Sequence, residues 1–268
     1  VLTSPSLGPG PARPQRSLRQ EYEEFRLQRI EEFKQQISRE ELLRIADEAV
    51  HELDVGTEDQ LVLTEVLVLE HVDRLIVRRL NLPSFRKWKG RHVRLRRAQR
   101  EPAHWGIDPS APLAEHARHA DPQALALVVG AGAAPASFFL AAHDWQVVFI
   151  DRTVSHVEAV ETRAAAEALA TRFEAFVVNF GAWFPEVHPT LVVLDPTALG
   201  EIPTPDRERF LGTIKDHTVS GGVHHLLGAD EIGGVLAFAP EALRACYADW
   251  HVERTRSGRV RSFFAVRP

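Results

Sequence analysis

Three short features of the 268-residue chain bring together residue types that can do chemistry. The first is LALVVGAGAAPASFFLA, residues 125–141, an apolar run that meets a Gly-x-Gly turn and continues into small residues. Gly130 and Gly132, with Ala131 between them, let the backbone turn tightly and come close to a ligand. A helix starting there aims free N–H groups and its positive dipole end at the same spot. The second feature is Asp151, which ends the next apolar run 21 residues after Gly130. A carboxylate so placed can accept two hydrogen bonds from ribose hydroxyls. The pair points to an adenosine-containing cofactor and leaves NAD, FAD and S-adenosyl-L-methionine open. The third feature is Asp195 at the end of TLVVLDP, with Thr197 beside it. It is a candidate for a substrate-side acid–base role, or else the cap of a following helix.

Pro135 stands where a G-x-G-x-x-G dinucleotide loop has its third glycine. Proline suits the first turn of a helix, where no N–H is needed. It also withholds a donor that a pyrophosphate would use, which favours a cofactor without phosphates. His188, His217, His224 and His225 invite a metal or general-base reading. His224 and His225 are neighbours in an expected strand, so they face opposite sides and do not serve one site. We read them as buried, hydrogen-bonded histidines. No His-x-x-x-His pair lies on a helix, and the single cysteine, Cys246, allows neither an internal disulfide nor a cysteine-based zinc site. No metal is expected.

The elements that must position these residues alternate over residues 121–268. Apolar strands end at Gly130, Asp151, Phe180, Pro196 and Gly228, each followed by a helix-like or turn segment. Continuous apolar strands separated by helices argue a parallel sheet covered on both faces. The last residues, DWHVERTRSGRVRSFFAVRP, read as an antiparallel hairpin turning at Ser257-Gly258. The expected fold is α/β: a Rossmann-like, doubly wound, mostly parallel sheet with a terminal antiparallel hairpin, preceded by an α-helical N-terminal extension.

That extension covers residues 18–105. Tyr22, Phe25, Ile30, Phe33 and Ile37 recur at helical spacing. Ser38 with Glu41, and Thr57 with Gln60, are capping-box signatures that start two further helices. The third helix carries Leu61, Val62, Leu63, Val66, Leu67, Leu69, Val72, Leu75 and Ile76, an apolar circumference wide enough for burial between partners. Eight Lys and Arg then fall between Arg86 and Arg100, interleaved with Trp88 and His92. Such a stretch can serve an RNA backbone or an anionic substrate. It can equally be a solvated helix face neutralised by the acidic first helices, and that is the reading adopted. Residues 1–17 are a flexible Pro/Gly/Ser-rich tail, and residues 106–120 a turn-rich linker.

Composition is ordinary for a globular protein, with 44% hydrophobic and 26% charged residues. The net charge of −5 excludes a polycation overall. No apolar run approaches the roughly 20 residues that span a bilayer, and the N-terminus lacks the apolar core of a secretory signal. With one thiol, these point to a cytoplasmic protein.

From about Leu113 to Pro268 the chain resembles the class I S-adenosylmethionine-dependent methyltransferases. VVGAGA is similar to the family's glycine-rich motif, and VVFIDRT to the second motif, whose acid meets the ribose. FVVNFGAWFP resembles the third-strand motif, TLVVLDPTALGEIP the fourth, TVSGGVHHLLG the turn into strand five, and the final hairpin the closing pair. The resemblance implies S-adenosyl-L-methionine as cofactor, held by Gly130, Ala131, Gly132, Asp151, Arg152, Asn179, Phe180 and Asp195. It places Asn179 and Phe180 at the adenine and Asp195 at the methyl-transfer centre, as the catalytic candidate. Val128 occupies the position where the family has an acid that helps hold the methionine part, so other groups must hold it here. DPTA replaces the N/D-P-P-Y motif of adenine-N6 and glutamine methylation, and Cys246 falls too late for base-C5 chemistry. The expected activity is methyl transfer to a small-molecule O, N or S nucleophile. Two alternatives stay open: an RNA methyltransferase using the stretch between Arg86 and Arg100, and a non-catalytic cofactor-binding or scaffold relative. A homodimer through the N-terminal helices is a further expectation.

Overall fold

Apolar runs this continuous cannot leave a strand face in water. In the computed structural model, which describes residues 17–55, 65–119, 124–200, 202–227, 245–257 and 260–268, they form the centre of one sheet. The chain divides into two compact units, separated between Leu95 and Arg96.

The first unit is helical. It contains α1 (Leu18–Gln36), α2 (Arg39–Val55), α3 (Glu65–Leu80) and most of α4 (Phe85–Gln99). Ser17 and Gln20 close a full capping box on α1. The Glu41 N–H donates to Ser38 Oγ at the start of α2 (3.2 Å). The second capping signature, at Thr57 and Gln60, lies outside the described residues, as do Leu61, Val62 and Leu63. Ile30, Ile45, Ala49, Val72, Leu75 and Ile76 make the core of this unit. The third helix is therefore buried along one stripe only. Val66, Leu67 and Leu69 are exposed, because the contacts of α3 with α1 and α2 follow the i, i+3, i+4 row of Val72, Leu75 and Ile76.

The second unit runs α5 (Pro112–Arg118), β1 (Leu125–Val129), α6 (Ala134–Ala142), β2 (Gln146–Asp151), α7 (Val154–Ala166), β3 (Phe173–Val177), β4 (Leu191–Leu194), α8 (Pro196–Gly200), α9 (Thr204–His217), β5 (Val223–Leu226), β6 (His251–Ser257) and β7 (Val260–Val266). The strand order is β3-β2-β1-β4-β5-β7-β6. The first five strands are parallel, and β7 joins antiparallel to both β5 and β6. The doubly wound sheet with its closing antiparallel pair is present as the sequence indicates. Residues 239–250 read as one more helix in the sequence; 239–244 lie outside the described residues.

Side chains alternate along the strands into two cores, as the pleat requires. Ala126, Val128, Val147, Phe149 and Val193 face α5, α6 and α7. Leu127, Val129, Val148, Ile150, Val192 and Leu194 face α9 and the segment around Tyr247 and Trp250. Residues 106–120, read from sequence as a linker, contribute Leu113, Ala114 and Ala117 to the first of these cores.

The paired histidines of β5 separate across the sheet. His224 is buried and hydrogen-bonded, to Thr218 Oγ1 through Nε2 (2.7 Å) and to Tyr247 Oη through Nδ1 (2.8 Å). Thr218 Oγ1 already donates to the Ile214 carbonyl (2.7 Å). One consistent tautomer follows: Nε2–H donates to Thr218, and Nδ1 accepts from Tyr247. His225 differs from expectation, since it is buried with neither ring nitrogen hydrogen-bonded. It stacks on Phe264 instead, with ring centroids 4.2 Å apart.

Burial pushes both histidines down to about 3, helped by the cations Lys215 and Arg267 near His224 and by His116 near His225. An unfolded chain takes up those protons from about pH 6.5 downward. Stability is therefore complete above that pH and declines as pH falls toward 3, at about 1.4 kcal/mol per pH unit per histidine. Chemical denaturation as a function of pH checks this. His225→Phe keeps the stack, costs no more than about 1 kcal/mol at pH 7.5 and flattens the acid slope. His224→Phe leaves the Tyr247 hydroxyl without its acceptor and costs about 2 kcal/mol.

Candidate functional site

A doubly wound sheet opens a crevice where successive connections leave on opposite faces, beyond the carboxyl ends of the strands. Here that point lies between β1 and β4. Parallel register sets the neighbourhood. Val129 pairs with Ile150 and Leu194, and Asp151 with Val177. The loop after β1, Asp151, Asn179 and Asp195 are thereby delivered to one end of the sheet.

The glycine loop is shaped by its own protein neighbours. Gly130 has φ +91°, a conformation that disfavours side chains. A Cβ there would lie 2.6 Å from Ala198 Cβ and 2.8 Å from Asp195 Cβ. A Cβ on Gly132 would lie 2.5 Å from Asp195 Oδ2. Both glycines thus admit the start of α8 and the Asp195 side chain. The amides of the loop are largely engaged. Gly130 N–H donates to Ile150 O (3.0 Å) and Ala133 N–H to Gly130 O (3.0 Å). Gly132 N–H donates to Asp195 Oδ2 (2.9 Å), and Ala134 N–H to Ala131 O. Pro135, in the first turn of α6, has none to give. Among residues 130–135, only Ala131 is left to offer an amide. No pyrophosphate cradle remains.

Asp195 is 6% exposed. Besides Gly132, its carboxylate accepts from the backbone N–H of Thr197 (2.9 Å) and from the Thr197 hydroxyl. Its own N–H donates to Val129 O (2.9 Å). Three of roughly four acceptor directions of the carboxylate are taken. The residue expected to act on substrate is placed as an anchor that ties β4 and α8 to the loop after β1.

Asp151 is placed differently. It is 5% exposed. Its Oδ1 accepts from Thr153 N–H (2.8 Å) and pairs with His156 Nδ1 (3.1 Å). Among the described residues, Oδ2 takes no hydrogen bond. A buried carboxylate oxygen held at the end of a strand beside a glycine loop is a strong acceptor for a ligand hydroxyl. Sequence reasoning missed His156, whose signal is its place in the first turn of the helix after Asp151. Arg152 is exposed, next to Asp151. Asn179 is exposed, and its carbonyl accepts from Ala182 N–H (3.0 Å). Phe180 turns away from the crevice into the core, stacked on Phe210 of α9 at 4.4 Å. The structure therefore does not bring it to the other candidates, since a large apolar ring gains more from burial there. Val128 is fully buried on the α6 side and offers nothing to a ligand.

No family model matches the sequence, and no curated protein matches it. Solved structures resemble it at low identity. TehB from Haemophilus influenzae superposes with a TM-score of 0.49 at 15% identity, over 58% of this chain and 61% of that one. The chain thus spans 61% of the length of TehB. The glycopeptide N-methyltransferase MtfA, in complex with S-adenosyl-L-homocysteine, gives 0.48 at 18%, over 61% of this chain and 91% of that one. The N-methyltransferase NodS from Bradyrhizobium japonicum gives 0.47 at 14%, over 70% and 99%.

The anchoring role of Asp195 is open to measurement. Asp195→Ala removes three hydrogen bonds to a charged group and leaves Gly132 N–H unpaired, so it lowers stability by about 3 kcal/mol in urea denaturation. Gly132→Ala meets the same carboxylate sterically and costs about 1–3 kcal/mol.

Proposed function

We propose that the chain is an S-adenosyl-L-methionine-dependent methyltransferase acting on a small-molecule O, N or S nucleophile. The observation that carries this reading is the free Oδ2 of buried Asp151, beside a glycine loop whose amides are engaged within the protein. A ribose has hydroxyls for that oxygen, and an adenosine cofactor without phosphates asks nothing of the amides. The six motifs that resemble the class I methyltransferases, in the family's order, support the same choice over NAD or FAD.

The residues fit the adenosine half of the cofactor. Asp151 would accept from the ribose, with His156 and Thr153 fixing its orientation through Oδ1. The backbone around Asn179 would border the adenine. The methionine half finds no acid at Val128, and the Ala131 amide and Arg152, both donors, would serve its carboxylate. When bound, the cofactor supplies a methyl group already activated on a sulfonium. Little acid–base machinery is then required of the protein, whose part is to align the acceptor and exclude water. This agrees with a site in which Asp195 holds the loop in place instead of moving a proton. Asp195 is in that sense a positioning residue.

Calorimetric titration with S-adenosylmethionine tests the reading, and a folded sample that gives no heat at millimolar ligand contradicts it. Asp151→Ala is expected to weaken binding by about 2–3 kcal/mol, roughly 30- to 150-fold, by leaving the ribose hydroxyls unpaired. Unchanged affinity in that variant would reassign the ribose.

A further inference from the structure

Five cations of α4 are not neutralised by the described helices around them. Arg86, Lys87, Lys89, Arg91 and Arg94 are all exposed, and α4 contains no acidic residue. Many acids of the first unit are engaged with other cations: Glu23 with Arg26, Glu32 with Arg29, Glu31 and Asp73 with Lys34, Glu41 and Glu48 with Arg79, and Glu52 with Arg78. Among the described residues, none of the five α4 cations has an ion pair. At 3.6 residues per turn, Arg86, Lys87, Arg91 and Arg94 fall within an arc of about 140° and extend over about 12 Å of helix.

The opposite face fixes this row in place. Trp88 is buried against Tyr22 and Phe85, with centroids 5.4 and 6.3 Å away, and stacks on His92 at 4.6 Å. His92 is in turn paired with Glu21 (3.1 Å). The aromatic that interleaves the basic run in sequence thus faces inward and cannot stack on bases. The arrangement works against helix stability. Cations crowd the first turn, at the positive end of the dipole, and Lys87–Arg91 and Arg91–Arg94 are like-charge neighbours at i+4 and i+3. A merely solvated face has no need of either, and a bound polyanion relieves both.

We propose that this row docks the phosphate backbone of double-stranded nucleic acid, without sequence readout. A patch of cations held on one face of a helix matches closely spaced phosphates, and a duplex has the highest axial charge density, about one charge per 1.7 Å. A single strand gains its remaining affinity from base stacking, for which this face presents no aromatic ring. A lipid surface is matched by a helix that inserts its apolar face, and that face of α4 is buried against α1. The proposal rests on residues 86–94 alone and stands or falls independently of methyl transfer.

Fluorescence anisotropy of a short labelled duplex DNA titrated with the full chain tests it. With four phosphate contacts, log Kobs falls against log salt with a slope of about −3.6, an affinity loss of about 150-fold between about 50 and 200 mM salt. The quadruple variant R86E/K87E/R91E/R94E brings the slope close to zero, with a helical circular dichroism spectrum like the parent's. The variant R29E/R39E/R44E/R74E changes net charge equally on other helices and keeps the slope. Should the first variant not fold, the single changes Lys87→Ala and Arg91→Ala each reduce the slope by about 0.9. The proposal is overturned by any of four results: no duplex binding at low salt, a slope that survives the changes on α4, an equal loss from the control variant, or capture by phosphatidylserine vesicles but not by duplex.

Discussion

One carboxylate holds the functional end of the sheet together. Asp195 receives the N–H of Gly132 from the loop after β1 and both donors of Thr197 from the start of α8. It thus bridges the two strands between which the sheet reverses its winding. The two glycines follow from this contact. Any side chain at Gly132 would collide with the carboxylate, and any at Gly130 with Ala198 and the Asp195 stem. Much of what makes the loop look like a ligand cradle is the space that Asp195 needs.

That constraint decides what the site can take. A phosphate-binding loop keeps its amides free for the anion. Here the amides of Gly130, Gly132, Ala133 and Ala134 already have acceptors, and Pro135 has no amide. The polar capacity that remains lies one strand away, in Asp151 Oδ2. The proposed recognition of a ribose by Asp151 rests on this contrast between an open carboxylate oxygen and engaged loop amides. The same division assigns the two acids different work. Three of roughly four acceptor directions of Asp195 are taken by its own chain, against two of those of Asp151.

Much of this fold is legible in the sequence because strands buried on both faces must be continuously apolar, and residues 125–129, 147–150 and 191–194 are. The acids at their ends are legible for the same reason, as the first polar residues after each run. What a sequence hides is the partner. Asp195 and Gly132 are 63 residues apart, and nothing local tells a catalytic carboxylate from an anchoring one. Asn179 and Phe180 are adjacent and look equally available, yet one is exposed while the other is stacked on Phe210. His225 shows the converse, a polar residue accepted in an apolar layer because a ring can stack there. The basic run on α4 reads as self-neutralising when charges are counted by region. Among the described residues Arg86, Lys87, Lys89, Arg91 and Arg94 have no ion pair, because several nearby acids close short i, i+3 pairs or face other helices.

The central claim is that the site binds an adenosine cofactor through its sugar and takes nothing from phosphates. Parallel calorimetric titrations of the chain with S-adenosylhomocysteine, adenosine and ADP test it most directly. The account predicts that S-adenosylhomocysteine binds and that ADP binds no more tightly than adenosine. ADP binding tighter than adenosine by about tenfold or more, a gain of about 1.4 kcal/mol from the phosphates, would contradict it.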